Sequence, residues 1–261
     1  MFESLSAADK AKFSAAKQAA GLVHSGMKVG LGTGSTAAWL VQHLGHKVRD
    51  EGLRIQGVPT STRTADLAHK VGIEIITLDE AGWLDLTIDG ADEFDADFAL
   101  IKGGGGALLQ EKIVAMASDQ MIVIADSDKE VSQLGAFPLP VEVIPFGMNS
   151  TRISIERTLQ ALGYISAKIS TRMEGDRLFV TDEGNHILDL HMNLITDAKA
   201  LALALNQLPG VVENGLFIDI CSSVIIGHSD GRVETRDLLN GVTESADMSA
   251  DGHNLFSDIE D

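Results

Sequence analysis

The chain has 261 residues, 38 Asp and Glu against 20 Lys and Arg, a formal net charge of −18, 44% hydrophobic residues and one cysteine. That apolar fraction suits a chain that buries a core and excludes general disorder, and the length permits one large domain or two small ones. Such acidity, with no Lys/Arg cluster to offset it, excludes nucleic acid and membrane surfaces as expected partners.

Cys221 alone cannot form an internal disulfide, and a single cysteine leaves no CxxC pair for a structural zinc site, so a reducing, cytoplasmic location is expected. The opening MFESLSAADK carries an acid where a signal peptide is basic, and no apolar run reaches the ~18 residues of a membrane span. Ser6 with Asp9 predicts a capped helix running to about Val23. A strand at 28–31 follows, then a glycine turn at 30–36 and a helix at 37–44. Further strands are expected at 54–58, 74–77, 84–88, 98–101 and 121–125, and helices at 62–71 and 107–117. Apolar strands alternating with helices indicate a parallel sheet covered on both faces.

After about residue 131 the rhythm changes. Residues 137–140, Phe-Pro-Leu-Pro, read as a linker and 141–145 as an alternating strand. Helices at 151–162 and 197–207 and strands at 165–170, 178–181, 186–191 and 211–217 suit a small α+β sandwich. Residues 218–226 are again solidly apolar and are expected to return to the first sheet. The fold class expected is α/β, a Rossmann-like parallel-sheet domain over 1–131 and 211–236 with an inserted smaller α+β (ferredoxin-like) domain at 132–210. Residues 237–261, acidic and without Lys or Arg, are expected to be a disordered tail.

Three turns carry the candidate chemistry. In Gly32-Thr33-Gly34-Ser35-Thr36, glycines let the backbone approach a ligand, and N–H groups at a helix start favour an anion, with Ser35 and Thr36 adding hydroxyls. With Ala37 the same run fits the G-x-G-x-x-A dinucleotide pattern, which wants an acid near the end of the next strand; there the chain has Val58-Pro59-Thr60-Ser61-Thr62-Arg63. Phosphate binding, a nicotinamide or flavin, and a purely structural turn all stay open on these residues.

The second turn, Asp89-Gly90-Ala91-Asp92-Glu93, follows an apolar strand, where open α/β sheets place ligands. Its two aspartates can hydrogen-bond sugar hydroxyls or move protons among them. A hard cation helped by Asp95 and Asp97 is the rival, although the run lacks the D-x-[DN]-x-[DN]-G spacing, and an ordinary acidic turn is the third reading.

The third is Lys102-Gly103-Gly104-Gly105-Gly106, leading into a helix with Glu111. Four successive glycines are costly in conformational entropy, so close approach of backbone to a ligand is the natural motive. Glu111 shares a stripe with Ala107, Val114 and Ala115, where desolvation raises a carboxyl toward the range of a general base; Lys102 can oppose a developing oxyanion. A first-turn acid complementing the helix dipole is the alternative. Lys129 follows another apolar strand and can reach the same crevice, though by itself it reads as a surface lysine. Cys221 reads as core packing.

These motifs, with Phe137-Pro138-Leu139-Pro140-Val141-Glu142-Val143-Ile144-Pro145, resemble the ribose-5-phosphate isomerase A family over roughly residues 6–228. The resemblance implies interconversion of D-ribose 5-phosphate and D-ribulose 5-phosphate through a cis-enediolate, in the non-oxidative pentose phosphate pathway, with no metal and no cofactor. It implies a small-molecule sugar phosphate as partner and a homodimer or homotetramer. It further implies that Glu111 is the base, with Asp89 and Lys102 also catalytic. Thr33, Gly34, Ser35, Thr36, Asp89, Gly90, Ala91, Asp92, Lys102, Gly103, Gly104, Gly105 and Lys129 would bind substrate. Gly106 and Leu109-Gln110 stand where the family often has Ala and Thr-Arg. A sugar-phosphate-sensing regulator and a dinucleotide-dependent oxidoreductase are the alternatives on a similar fold.

Overall fold

A computed structural model describes residues 2–238 and 243–248. Its elements begin α1 (Ala7–Gly21), β1 (Lys28–Leu31), α2 (Ser35–Asp50), β2 (Gln56–Pro59), α3 (Thr62–Lys70), β3 (Glu74–Ile75), α4 (Leu78–Ala81) and β4 (Leu86–Asp89). They continue β5 (Glu93–Phe94), β6 (Leu100–Ile101), α5 (Leu108–Met116), β7 (Met121–Asp126), β8 (Leu139–Val143), α6 (Met148–Ala161), β9 (Lys168–Thr171), β10 (Met173–Glu174) and β11 (Arg177–Leu178). The rest are β12 (His186–His191), α7 (Ala198–Asn206), β13 (Val211–Asn214), β14 (Leu216–Phe217), β15 (Ser223–Gly227), β16 (Arg232–Asp237) and β17 (Thr243–Asp247).

The chain divides into two compact units. The first holds the residues up to Gly90, Ile113–Lys129 and the described residues from Cys221 onward. Its eight-stranded sheet runs β17-β16-β15-β7-β4-β1-β2-β3, parallel from β15 to β3 and antiparallel at β16 and β17. β7 and β15 are buried along their whole length, which is why they read as solid apolar runs rather than alternating ones. Helix α1 starts where the Ser6 hydroxyl accepts the Asp9 N–H, and it buries an alanine face. That face lets it sit so close to the sheet that a side chain on Gly227 would overlap the Ala11 carbonyl. Leu31, Leu40, Leu44, Ile88, Ile124 and Ile225 are fully buried together, each adding about 1.5–3 kcal/mol of hydrophobic stabilisation.

The second unit holds Ala91–Lys112 and Glu130–Ile220. Its four-stranded antiparallel sheet has the order β13-β8-β12-β9, so the β-α-β-β-α-β succession of β8, α6, β9, β12, α7 and β13 takes the ferredoxin-like arrangement. Alternate residues Leu139, Val141 and Val143 of β8 pack with Ile155, Leu159, Leu201 and Leu205 of the helices. A hairpin β10-β11 and a three-stranded sheet β14-β6-β5 complete the unit.

Four expectations are corrected. The strand at 98–101 shortens to Leu100–Ile101 and pairs antiparallel with β5 and β14, outside the parallel sheet, because the chain turns at Phe98 (φ 58°) over an Asp95 carboxylate that accepts the Asp97 and Ala99 N–H groups. The linker at 137–140 gives way to β8, an interior strand. Pro140 is tolerated there because its ring nitrogen faces the side on which β13 has already ended, where Gly215 donates to the Pro140 carbonyl. Residues 211–217 pair with β8 and β6, so the return to the first unit comes at Cys221, and 91–112 group with the second unit. Finally, Thr243–Asp247 of the expected disordered tail form β17, paired with β16 over five residues. The remainder of that tail, 249–261, and residues 239–242 lie outside the described residues.

Candidate active site

In the first unit, β7, β4 and β1 are neighbours in register, Leu31 beside Ile88 and Ile88 beside Ile122, so their carboxyl ends form one edge. The Gly32–Thr36 turn leaves that edge from β1, Asp89 and Gly90 from β4, and the single helical turn Ser127–Lys129 from β7. Gly34 caps α2 at φ 109° with no side-chain hydrogen bond, leaving the first N–H groups of the helix open to an acceptor. Asp89 is fully buried, and its Oδ1 accepts the N–H of Thr33 at 3.1 Å and of Gly90 at 2.7 Å. Gly32 is required beneath it, since a side chain there would overlap the Asp89 carboxylate.

The Thr33 hydroxyl turns inward, 2.8 Å from Thr60 Oγ1 and donating to Ser61 Oγ at 2.8 Å, with Thr64 Oγ1 at 3.2 Å. Ser35 is exposed and Thr36 half-buried, so these two carry the open hydroxyls of the turn. Lys129 is half-buried. The hydroxyls after β2 therefore support Thr33, and no carboxylate there meets the dinucleotide pattern.

In the second unit, Lys102 and Glu111 are buried together, 2% and 3% exposed, with Nζ 3.4 Å from Oε2. Burying either charge alone would cost several kcal/mol, and the opposite charge offsets this. The Phe217 ring lies 5.5 Å from Lys102 Nζ. The glycine loop joins the two. Gly103 and Gly106 take positive φ, 100° and 83°, and a side chain on Gly104 would lie 2.6 Å from the Asp92 carboxylate. Asp92 Oδ2 accepts the Gly104 N–H at 2.7 Å, while Gly104 and Gly105 stay exposed. Ala91 is half-buried beside Asp92.

Neighbouring charges have structural tasks. Glu93 is buried and accepts the N–H groups of Gly135 (2.7 Å) and Phe137. Lys112 reaches Glu213 at 2.9 Å and the Asn214 carbonyl at 2.6 Å. Burial pushes the Lys112 ammonium down against the pull of Glu213. Burial likewise pushes Glu213 up, but Lys112 and the hydrogen bonds from Asn214 and Asn206 hold it below its ordinary value. Asp95 serves its own turn, and among the described residues no group of three His, Cys, Asp or Glu is placed to hold a metal ion. No helix among the described residues is long and apolar enough to cross a membrane.

Sequence reasoning missed two supports of the site: Thr60, Ser61 and Thr64 under Thr33, and Arg172 with Asp189 under the glycine loop, Arg172 Nη1 donating to the Gly103 carbonyl at 2.6 Å. The hydroxyl run after β2 was a visible signal for the first; no local pattern marks the second.

A buried carboxylate–ammonium pair beside a glycine loop sets a candidate base next to a cation, an arrangement suited to an isomerase, in which one base moves a proton within one substrate. The model of the ribose 5-phosphate isomerase A (phosphoriboisomerase A) family matches residues 56–231. The chain is 67% identical over 258 residues to ribose-5-phosphate isomerase A of Ruegeria pomeroyi, covering 98% of each. It is 64% identical to that of Roseobacter denitrificans over 100% of each. Among solved structures, D-ribose-5-phosphate isomerase in complex with phospho-erythronic acid superposes with a TM-score of 0.81 at 38% identity, over 88% of this chain and 99% of its own. Ribose 5-phosphate isomerase from Plasmodium falciparum gives 0.82 at 33%, over 87% and 97%. The chain belongs to the ribose 5-phosphate isomerase A family.

Proposed function

We propose how this chain carries out the interconversion of D-ribose 5-phosphate and D-ribulose 5-phosphate. The N–H groups at the start of α2 and the hydroxyls of Ser35 and Thr36 receive the phosphate, and Lys129 adds positive charge, so a net-acidic chain still holds an anion. Asp89, Asp92 and the Gly103–Gly105 backbone bind the sugar hydroxyls and assist ring opening. Glu111 removes the proton from C2 of the open-chain aldose, and the negative charge passes to O1, where the Lys102 ammonium stabilises it. Return of the proton to C1, with the O2 hydroxyl proton passing to O1, gives the ketose. No step uses a metal or a cofactor. The enzyme works in the cytoplasm as a homodimer or homotetramer.

The observation that carries this reading is the Lys102–Glu111 pair at 3.4 Å, a base and an oxyanion partner buried side by side. A coupled assay with ribose 5-phosphate in the presence of EDTA tests it. Turnover undiminished by the chelator is expected, with free ribose a very poor substrate because it lacks the remote phosphate that orients the reacting carbons. Chelator inactivation reversed by Mg²⁺, or equal kcat/KM for ribose and ribose 5-phosphate, would overturn it.

A further inference from the structure

The glycine loop of the second unit rests on a side chain that the mechanism leaves unused. Arg172 follows β9 with its side chain only 14% exposed, and its Nη1 donates to two successive carbonyl oxygens, Gly103 at 2.6 Å and Gly104 at 3.2 Å. Its other edge grips a carboxylate: Nε donates to Asp189 Oδ2 at 3.0 Å and Nη2 to Oδ1. Asp189 lies in β12 and is as buried as its partner. A guanidinium can serve a carboxylate with one edge and the loop with another; a lysine ammonium has no such fork. The Phe179 ring backs the same assembly, 5.9 Å from the guanidinium carbon and packed where a side chain on Gly106 would have to go.

This grip fixes an orientation. In a trans peptide the C=O of one residue and the N–H of the next point in opposite directions. With the Gly103 and Gly104 carbonyls turned toward Arg172, the N–H groups of Gly104 and Gly105 are turned away from it. The Gly104 N–H meets Asp92 Oδ2 at 2.7 Å, which identifies that side of the loop as the one bearing Asp92. Both glycines are exposed there. Glycines bring no side chains with which to settle their own conformation, and fixing each backbone costs conformational entropy, so the ordering has to come from outside the loop.

We infer that Arg172, held by Asp189, is a positioning residue for the isomerase reaction: it presents the N–H groups of Gly104 and Gly105, with Asp92, to the oxygen atoms of the sugar phosphate. This rests on the proposed function, in which Asp92 and Gly103–Gly105 bind substrate. The charge of Arg172 is spent on Asp189 and on the loop, so its influence reaches substrate through the loop backbone.

The test compares the full-length parent with Arg172→Met, Arg172→Lys and Asp189→Asn in two measurements: the coupled assay with ribose 5-phosphate, and calorimetric titration with phospho-erythronic acid, the molecule in the solved relative's complex. Arg172→Met is expected to raise KM and to weaken binding of the acid, each by about tenfold or more, with kcat changed by less than about threefold. Arg172→Lys should fall between Met and parent, and Asp189→Asn should move in the same direction as Arg172→Met. A folded Arg172→Met chain with parent-like KM and parent-like affinity for the acid overturns the inference, as does a loss confined to kcat. Should Arg172→Met not fold, unchanged KM and affinity in Asp189→Asn overturn it equally. A parent that neither binds the acid nor isomerises ribose 5-phosphate overturns the proposed function and this inference with it, whereas variants indistinguishable from an active parent overturn the inference alone.

Discussion

Glu111→Gln removes one charge from a pair that the fold keeps out of water. At the observed 3.4 Å and an effective dielectric of about 20, the attraction between the two charges is about 5 kcal/mol. Breaking such a pair from one side leaves the other charge uncompensated and costs about 3–5 kcal/mol of stability. Glu111→Gln is therefore expected to lose about 3 kcal/mol of unfolding free energy as well as at least ~10²-fold in kcat, the usual effect of removing a general base. Lys102→Met should lose comparable stability for the mirror-image reason. The double variant Lys102→Met/Glu111→Gln should regain most of that stability, since neither charge is then left buried alone, and should remain inactive. Urea unfolding of all four chains, with the coupled assay run beside it, gives the cycle. Coupling below about 0.5 kcal/mol would refute the idea that the two groups stabilise one another. Turnover of Glu111→Gln within tenfold of the parent would remove Glu111 from the role of base.

Three further outcomes are expected. His43 packs edge-on against Phe13, and burial first, then the nearby Lys17 charge, pushes its pKa down to about 3. The folded chain therefore keeps it neutral while the unfolded chain protonates below about 6.5, so its contribution is full above pH 6.5 and is lost as pH falls toward 3. Between pH 7.5 and 5 this costs about 2 kcal/mol, and urea midpoints of His43→Leu should show a pH loss smaller by that amount; equal losses would contradict it. Truncation after Asp237 removes β17 and Met248, which packs on the main core and accepts Lys17 Nζ at its carbonyl. The melting temperature should fall by about 3 °C or more with kcat/KM unchanged, and an unaltered melting curve would show β17 to be dispensable. Gly32→Ala drives a methyl into the Asp89 carboxylate and to 2.6 Å from its Cα; a loss of about 1–3 kcal/mol and of most activity is expected, and parent-like kinetics would mean that Asp89 can move freely.

The parallel sheet is legible in the sequence because β7 and β15 are buried on both faces, so burial itself writes a run of apolar letters. Two-residue strands such as β5, β6 and β14 are too short to carry a period, and β17 joins the sheet through backbone bonds with few apolar residues to announce it. The two prolines around Leu139 read as a linker because local sequence does not reveal which side of a strand lacks a neighbour. The three site motifs are legible for the opposite reason: each is a short contiguous run in which glycine stands beside the hydroxyls, acids or lysine of the candidate site. What supports them is not contiguous. Arg172 meets Gly103 across 69 residues, and Thr33 meets Thr60 across 27, so neither pairing leaves a spacing to read.

The seating of α1 against Gly227 bears on the order in which this protein comes into being. The strand that lies under Ala11 follows the helix in the chain by about 200 residues. Between them the whole of the second unit's small sheet is synthesised, and that sheet draws all four of its strands from residues 139 to 214, so it can form while the larger one still lacks an edge. The part of the α1 alanine face that rests on β15 must therefore wait for that strand, while α2 and β7, which also pack on α1, are available earlier. Completion of the main sheet therefore follows synthesis of the small one, and the hairpin β16-β17 then covers the outer edge of β15.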